Sequence, residues 1–175
     1  MIMAKTDSFF IRQKLTCNGT NFVQETIDLG AFVDALGKSV LKIHSVSVQW
    51  KDSTATNQAI GLTAAPGVAL MQWQLTTQSQ STMLYADDKS VVSSGALELY
   101  NATAVGGVTS GSDDSIDLQP QMWKNGYIVA VDAMYLGAQQ SVEPSTGNLD
   151  CTVVLECTVE TMTKESAMAL ALSQQ

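Results

Sequence analysis

The chain is poor in the residues that most often carry chemistry. Its 175 residues include one histidine, three cysteines, three prolines and nine Lys+Arg, of which Arg12 is the only arginine. Without clustered Lys or Arg there is no basic patch to neutralise phosphates, so no direct, sequence-specific nucleic-acid binding is expected. A single His44 leaves no material for a zinc trio, and any His-dependent triad would have to be built around that one ring. Cys17, Cys151 and Cys157 are odd in number and lack CxxC spacing, which argues against a disulfide framework or a zinc site and for three small buried hydrophobes. Cys151 and Cys157 fall on one face of one extended run, about 20 Å apart, too far to bridge. No run of about 18 apolar residues exists to span a bilayer, and the opening MIMAKTDSFFIRQKL is broken by charges where a signal peptide would be apolar. A protein made in a cytoplasm is the expectation.

What is present is enough to fold. Hydrophobic residues make up 45% and charged residues 15% of the chain, with a net charge of −8, a balance too apolar for disorder. The length fits one domain, residues 1–175, whose core needs no metal or disulfide staple.

Most of the patterning has period two. LKIHSVSVQW places His44, Val46, Val48 and Trp50 on one face and Ser45, Ser47 and Gln49 on the other. VALMQWQLTTQ sets Ala69, Met71, Trp73 and Leu75 against Gln72, Gln74 and Thr76. SVVSS and ALELY read as two short strands, with Leu97 and Leu99 facing one way and Glu98 the other. GYIVAVDAMYLGA reads as one continuous buried strand with Asp132 its only misfit, preceded by a turn bracketed by Pro120 and Asn125-Gly126. CTVVLECTVET turns Cys151, Val153, Leu155, Cys157 and Val159 inward. At the start, SFFIRQKLT and NFVQETID flank Asn18-Gly19, a strong signal for a β-hairpin. Asp28 before LGAFVDALG, with Leu29, Phe32, Val33 and Leu36 at helical spacing and Gly37 as a stop, predicts a short helix or helical turn over 29–37. The tail TKESAMALALSQQ is rich in helix formers and is read as a C-terminal helix. The loops 53–67, 104–118 and 137–149 are long, small and polar. The sum is an all-β, jelly-roll-like antiparallel sandwich of about eight strands, with core residues Val46, Val48, Trp50, Met71, Trp73, Val153, Leu155 and Val159.

No constellation predicts catalysis, a cofactor or a metal, and the catalytic, cofactor and metal residue sets are each expected to be empty. His44 reads as a partly buried, hydrogen-bonded core residue. Asp113-Asp114-Ser115-Ile116-Asp117 and Asp87-Asp88 match no EF-hand spacing and read as solvated acidic loops rather than calcium ligands. The sequons at Asn18 and Asn101 lack a secretory context. Trp50 and Trp73 belong to apolar strand faces, while Tyr85, Tyr100 and Trp123 are the candidates for an exposed sugar-stacking platform. Tyr127 and Tyr135 complete the large aromatics.

The run DLGAFVDALGKSVLKIHSVSVQW, the strands with Gly/Ser/Thr-rich loops and the ending VVLECTVETMTKESAMALALSQQ resemble single jelly-roll major capsid proteins of tailless icosahedral prokaryotic viruses. The resemblance covers most of the chain in style and rests on no fixed motif. It implies a non-enzymatic coat subunit of the virion whose partners are copies of itself, other capsid proteins or an internal membrane. The chain departs from one common capsid pattern in having no Arg/Lys-rich amino-terminal arm. A surface of Ser, Thr and Gln with few long charged side chains is also cheap to desolvate, as self-packing requires. The alternative of a different class is a glycan-binding β-sandwich module, which would need two exposed aromatics on one face.

Overall fold

A computed structural model describes residues 6–34, 38–54, 57, 60, 67–101, 109–113, 118–142 and 147–175. Among the described residues nine strands lie in two antiparallel sheets: β1 (Phe9–Thr16), β2 (Val23–Asp28), β3 (Ser39–Asp52), β4 (Gly67–Thr76), β5 (Val91–Asn101), β6 (Thr109–Asp113), β7 (Tyr127–Val129), β8 (Ala133–Gln140) and β9 (Leu149–Thr161). One sheet has the order β1-β9-β3-β7 and the other β2-β8-β4-β5-β6. The pairing is nested: β1 with β9, β2 with β8, β3 with β7 and β4 with β5. This is a long hairpin rolled into a sandwich, the wiring of a jelly roll, with β6 added at one edge.

The sheets bury between them Leu15, Leu41, Ile43, Val46, Trp73, Leu75, Leu136, Val153 and Leu155, with the half-buried Val48, Trp50 and Val159 packed against them. Met71 sits in a smaller cluster with Ala69, Leu99 and Leu149. The apolar period-two faces therefore do form the core. Cys17, Cys151 and Cys157 are buried there as free thiols.

Five expectations change. The Asn18-Gly19 turn forms, with Gly19 at φ 55 and the Asn21 N–H donating to the Asn18 carbonyl (3.1 Å), but no hairpin ladder follows. β1 runs eight residue pairs along β9 while β2 pairs with β8, so the two strands enter opposite sheets. The long partners offer more ladder, and more buried apolar contact, than the two short strands offer each other. The run 126–138, expected as one strand, is two, β7 and β8, which also lie in opposite sheets, and β8 continues to Gln140 into the stretch 137–149 expected as a loop. The run breaks at Asp132, whose carbonyl accepts from the Leu29 N–H (2.8 Å). The run reads as continuous because both halves border the same core.

β5 is one strand where two were expected, and residues 109–113, expected as loop, form the edge strand β6. The segment 29–37 makes one helical turn among its described residues. The Phe32 and Val33 N–H groups both donate to the Leu29 carbonyl, and the Asp28 carboxylate caps the Gly30 N–H. Residues 35–37 lie outside the described residues.

The tail is helical as expected: α1 (Lys164–Ser173) is capped by the Thr163 hydroxyl, which accepts from the Ser166 N–H. Ala167 and Ala171 pack it on Val40 and Ala130. Just past its end Gln174, 4% exposed, points its side-chain amide at the outer edge of β7. Its Oε1 accepts from the Ala130 N–H (2.9 Å) and its Nε2 donates to the Ile128 carbonyl (2.7 Å). Gln121 does the same for β3 where β7 has ended, accepting from the Val46 N–H (3.0 Å) and donating to the Val46 carbonyl (2.9 Å). Two glutamine amides thus stand in for a neighbouring strand, and an edge that would invite foreign pairing is closed.

Candidate functional site

His44 is not on the Val46–Trp50 face. The β3–β9 register slips between Ile43 and Ser45, so His44 is the extra residue of a bulge, and Ile43 and Val46 both point inward. Alternation read across the bulge puts every residue before it on the wrong side. The imidazole lies on the outer side, half-buried, with Nε2 2.9 Å from the Thr158 hydroxyl. Thr6, Asp7, Ser8 and Glu156 complete a shallow polar groove around it, and the Ser45 hydroxyl donates to Glu156 (3.3 Å). The bulge is held from the far side by Gly126 at φ +63, where a Cβ would run into the Ile43 carbonyl oxygen.

Asp7 and Glu156 are the carboxylates that line this groove, and the loop carboxylates Asp87, Asp88 and Asp113 are not among its lining. Asp88 Oδ1 is taken by the Ser90 N–H (2.8 Å) and hydroxyl (2.6 Å), which hold its carboxyl below the usual range. Asp113 ends β6, and 114–117 lie outside the described residues. Among the described residues, no group of three or more His, Cys, Asp or Glu could hold a metal ion. The three thiols are poor nucleophiles: burial, then the charge of Asp150, raises Cys17 to about 11, and burial, then Glu156, raises Cys157 to about 12. Cys151 is pushed up further by burial, with Cys17 and Asp150 adding to it. Of the sequons, Asn18 is exposed in its turn, whereas Asn101 is buried and its Ala102-Thr103 lies outside the described residues.

Tyr85, Tyr100 and Trp123 are all exposed, but they come from three places. Tyr100 stands on β5 opposite Val68, Tyr85 belongs to the β4–β5 connection, and Trp123 leans on Tyr127 with ring centroids 6.0 Å apart. Among the described residues no ring contact joins any two of the three.

The distinctive feature lies at one end of the sandwich. The connections 17–22, 53–66, 102–108 and 141–148 all leave from it, as the registers Thr16↔Asp150, Asp52↔Leu149, Gly67↔Asn101 and Met71↔Gln140 require. Direct bonds tie the first, second and fourth of these together: the Gly19 N–H donates to the Asn148 side chain (2.8 Å) and the Ser53 N–H to the Asn148 carbonyl (3.2 Å), while Gln139 Nε2 of β8 donates to the Thr20 carbonyl (3.0 Å). In these four connections Glu143 is the only charged residue. The nearest strand-end carboxylates are engaged, Asp52 by Thr54 (2.6 Å) and Asp150 by Thr16 (2.6 Å) and Lys14 (3.0 Å). The connections at the opposite end carry Asp34, Lys38, Asp87, Asp88, Lys89, Lys124 and Asp132 among their described residues. Sequence reading identified long polar loops singly. That they share one end, and that charge is sorted to the other, follows only from the nested pairing.

No protein-family profile matches the chain, and no curated protein sequence does. Solved structures do. A structure of Desmodium yellow mottle tymovirus matches 92% of this chain and 89% of its own, at 8% identity and a TM-score of 0.37. The VP1 protein of Merkel cell polyomavirus, solved in complex with GD1a oligosaccharide, matches 91% and 97% at 8% identity and 0.39. A 60-mer BFDV capsid protein matches 92% and 94% at 12% identity and 0.38. The jelly-roll assignment stands on the strand order itself.

Proposed function

We propose that this chain is a structural, self-assembling subunit, a viral coat protein whose partners are copies of itself and whose place is the virion shell. The observation that carries the reading is the end of the sandwich from which four connections leave with Glu143 as their only charge. Stripping water from Ser, Thr, Asn and Ala costs far less than stripping it from Lys and Glu, and charge depletion is what interface cores share. No residue is assigned a catalytic, cofactor or metal role. The shell follows from repetition: contacts that are modest singly add up when symmetry closes the set.

The test places charge where the reading needs none. Thr20 and Asn57 are exposed in these connections, so Thr20→Lys and Asn57→Lys should leave the melting temperature within about 2 °C while abolishing particles seen by negative-stain microscopy. Particles of unchanged size and yield from both variants would remove this end from the assembly.

A further inference from the structure

The four-stranded sheet carries unlike features on its two edges. On the β1 edge Phe10 is 54% exposed, and Arg12, the only arginine, sits over its ring at 5.3 Å. On the β7 edge, α1 and β7 frame an open groove of about 630 Å³, lined chiefly by Tyr127, Ile128, Met162, Ala169 and Leu170, with Lys89 at its rim. Gln174 occupies the hydrogen-bonding edge of β7, so an incoming chain cannot add a strand there and must enter by side chains. The last turn of α1 carries no basic residue, which leaves its partial negative charge uncompensated within the helix. Lys89, whose ammonium donates to the Gln175 carbonyl (2.6 Å), is a cation at this end, but it follows Asp87 and Asp88, so the segment 87–89 keeps a net charge of −1.

Resting on the self-association reading above, we propose that the groove is the docking site for a second copy of this chain. The Phe10 ring of one copy enters between α1 and β7 of the next, and Arg12 meets the carbonyl end of α1. The occupant is fixed by complementarity: an apolar ring capped by a cation faces an apolar groove closed by an anionic helix end. Because knob and groove lie on opposite edges of one sheet, the contact is head-to-tail and propagates from copy to copy until a ring closes.

A head-to-tail contact has a signature that a symmetric one lacks. Phe10→Glu destroys the knob and keeps the groove; Ala169→Glu, at an exposed helix position, fills the groove and keeps the knob. In mass photometry wild type should form rings or larger bodies, each variant alone should be monomeric, and an equimolar mixture should give a discrete dimer and nothing larger. Circular dichroism and melting confirm that each variant folds, and Phe10→Thr with Ala169→Gln serves as a milder pair. Assembly of either variant at the wild-type level, or a mixture that stays monomeric, would overturn this contact while leaving self-association intact. A wild type that never assembles would overturn the self-association reading itself.

Discussion

Replacing Gln174 with Leu keeps the volume of the side chain and removes both ends of its amide. In the folded protein the Ala130 N–H and Ile128 carbonyl would then face an apolar group at a position where Ala130 is 1% exposed. Each buried group left without a partner costs about 1–3 kcal/mol. The Thr77 bond (2.8 Å) goes to the Gln174 main-chain carbonyl and survives. Two orphaned groups at a sheet edge, where water can reach part of the way in, set the loss at about 2–4 kcal/mol. For a chain of this size that is a fall of roughly 5–15 °C in melting temperature. Gln174→Glu should behave similarly above its pKa, since a carboxylate accepts from Ala130 and cannot donate to Ile128. Gln175→Ala is the control: only its main-chain oxygen bonds Lys89, so it should be neutral within about 0.5 kcal/mol. Urea unfolding followed by tryptophan fluorescence reads all three. A loss below about 0.5 kcal/mol for Gln174→Leu would refute the idea that this amide replaces a strand.

Gly126→Ala should cost about 2–4 kcal/mol, because a φ of +63 and the Ile43 carbonyl both oppose a Cβ, whereas Gly147→Ala, at φ +93 with nothing within 4 Å, should cost only the backbone strain of about 1–2 kcal/mol. Calorimetry of the two variants separates collision from strain, and equal losses would show that the bulge yields. The thiols carry a pH dependence: their folded pKa values lie above the ordinary 9.0, so the unfolded chain loses protons first, and stability is full below pH 9 and falls as pH rises toward about 11 and 12. Denaturant titrations at pH 8 and pH 10 should show that fall, and a Cys17→Ala, Cys157→Ala double variant should flatten it; an unchanged slope would assign it elsewhere. Native protein should also release no rapid thiol signal to a colorimetric disulfide reagent until denatured. Residues 1–175 are proposed to fold as one domain, so calorimetry of dilute monomer should show a single transition, against which two well-separated ones would count.

The inward faces of β3, β4 and β9 were legible because alternation reports burial directly, and the tail helix because its residues favour helix and Thr163 caps it. Pairing was less legible. Asn18-Gly19 specifies a reversal of the chain, not the strand that continues beside it, which is set by the eight pairs β1 makes with β9 and the six β2 makes with β8. A bulge has no residue signature in LKIHSVSVQW, so alternation alone puts His44 on the wrong face. The glutamines were invisible for a related reason: Gln121 and Gln174 look like surface polar residues, and their amides acquire a role only where a strand ladder stops. The sorting of charge to one end was present in the sequence all along, but it had no meaning until the nested pairing assigned each connection to an end.

The most direct test of the central claim is mass photometry of the expressed chain across concentration, with negative-stain images of the same samples. Self-assembly through a charge-poor end predicts closed shells or uniform rings that grow in with concentration. A strict monomer at every concentration would contradict it.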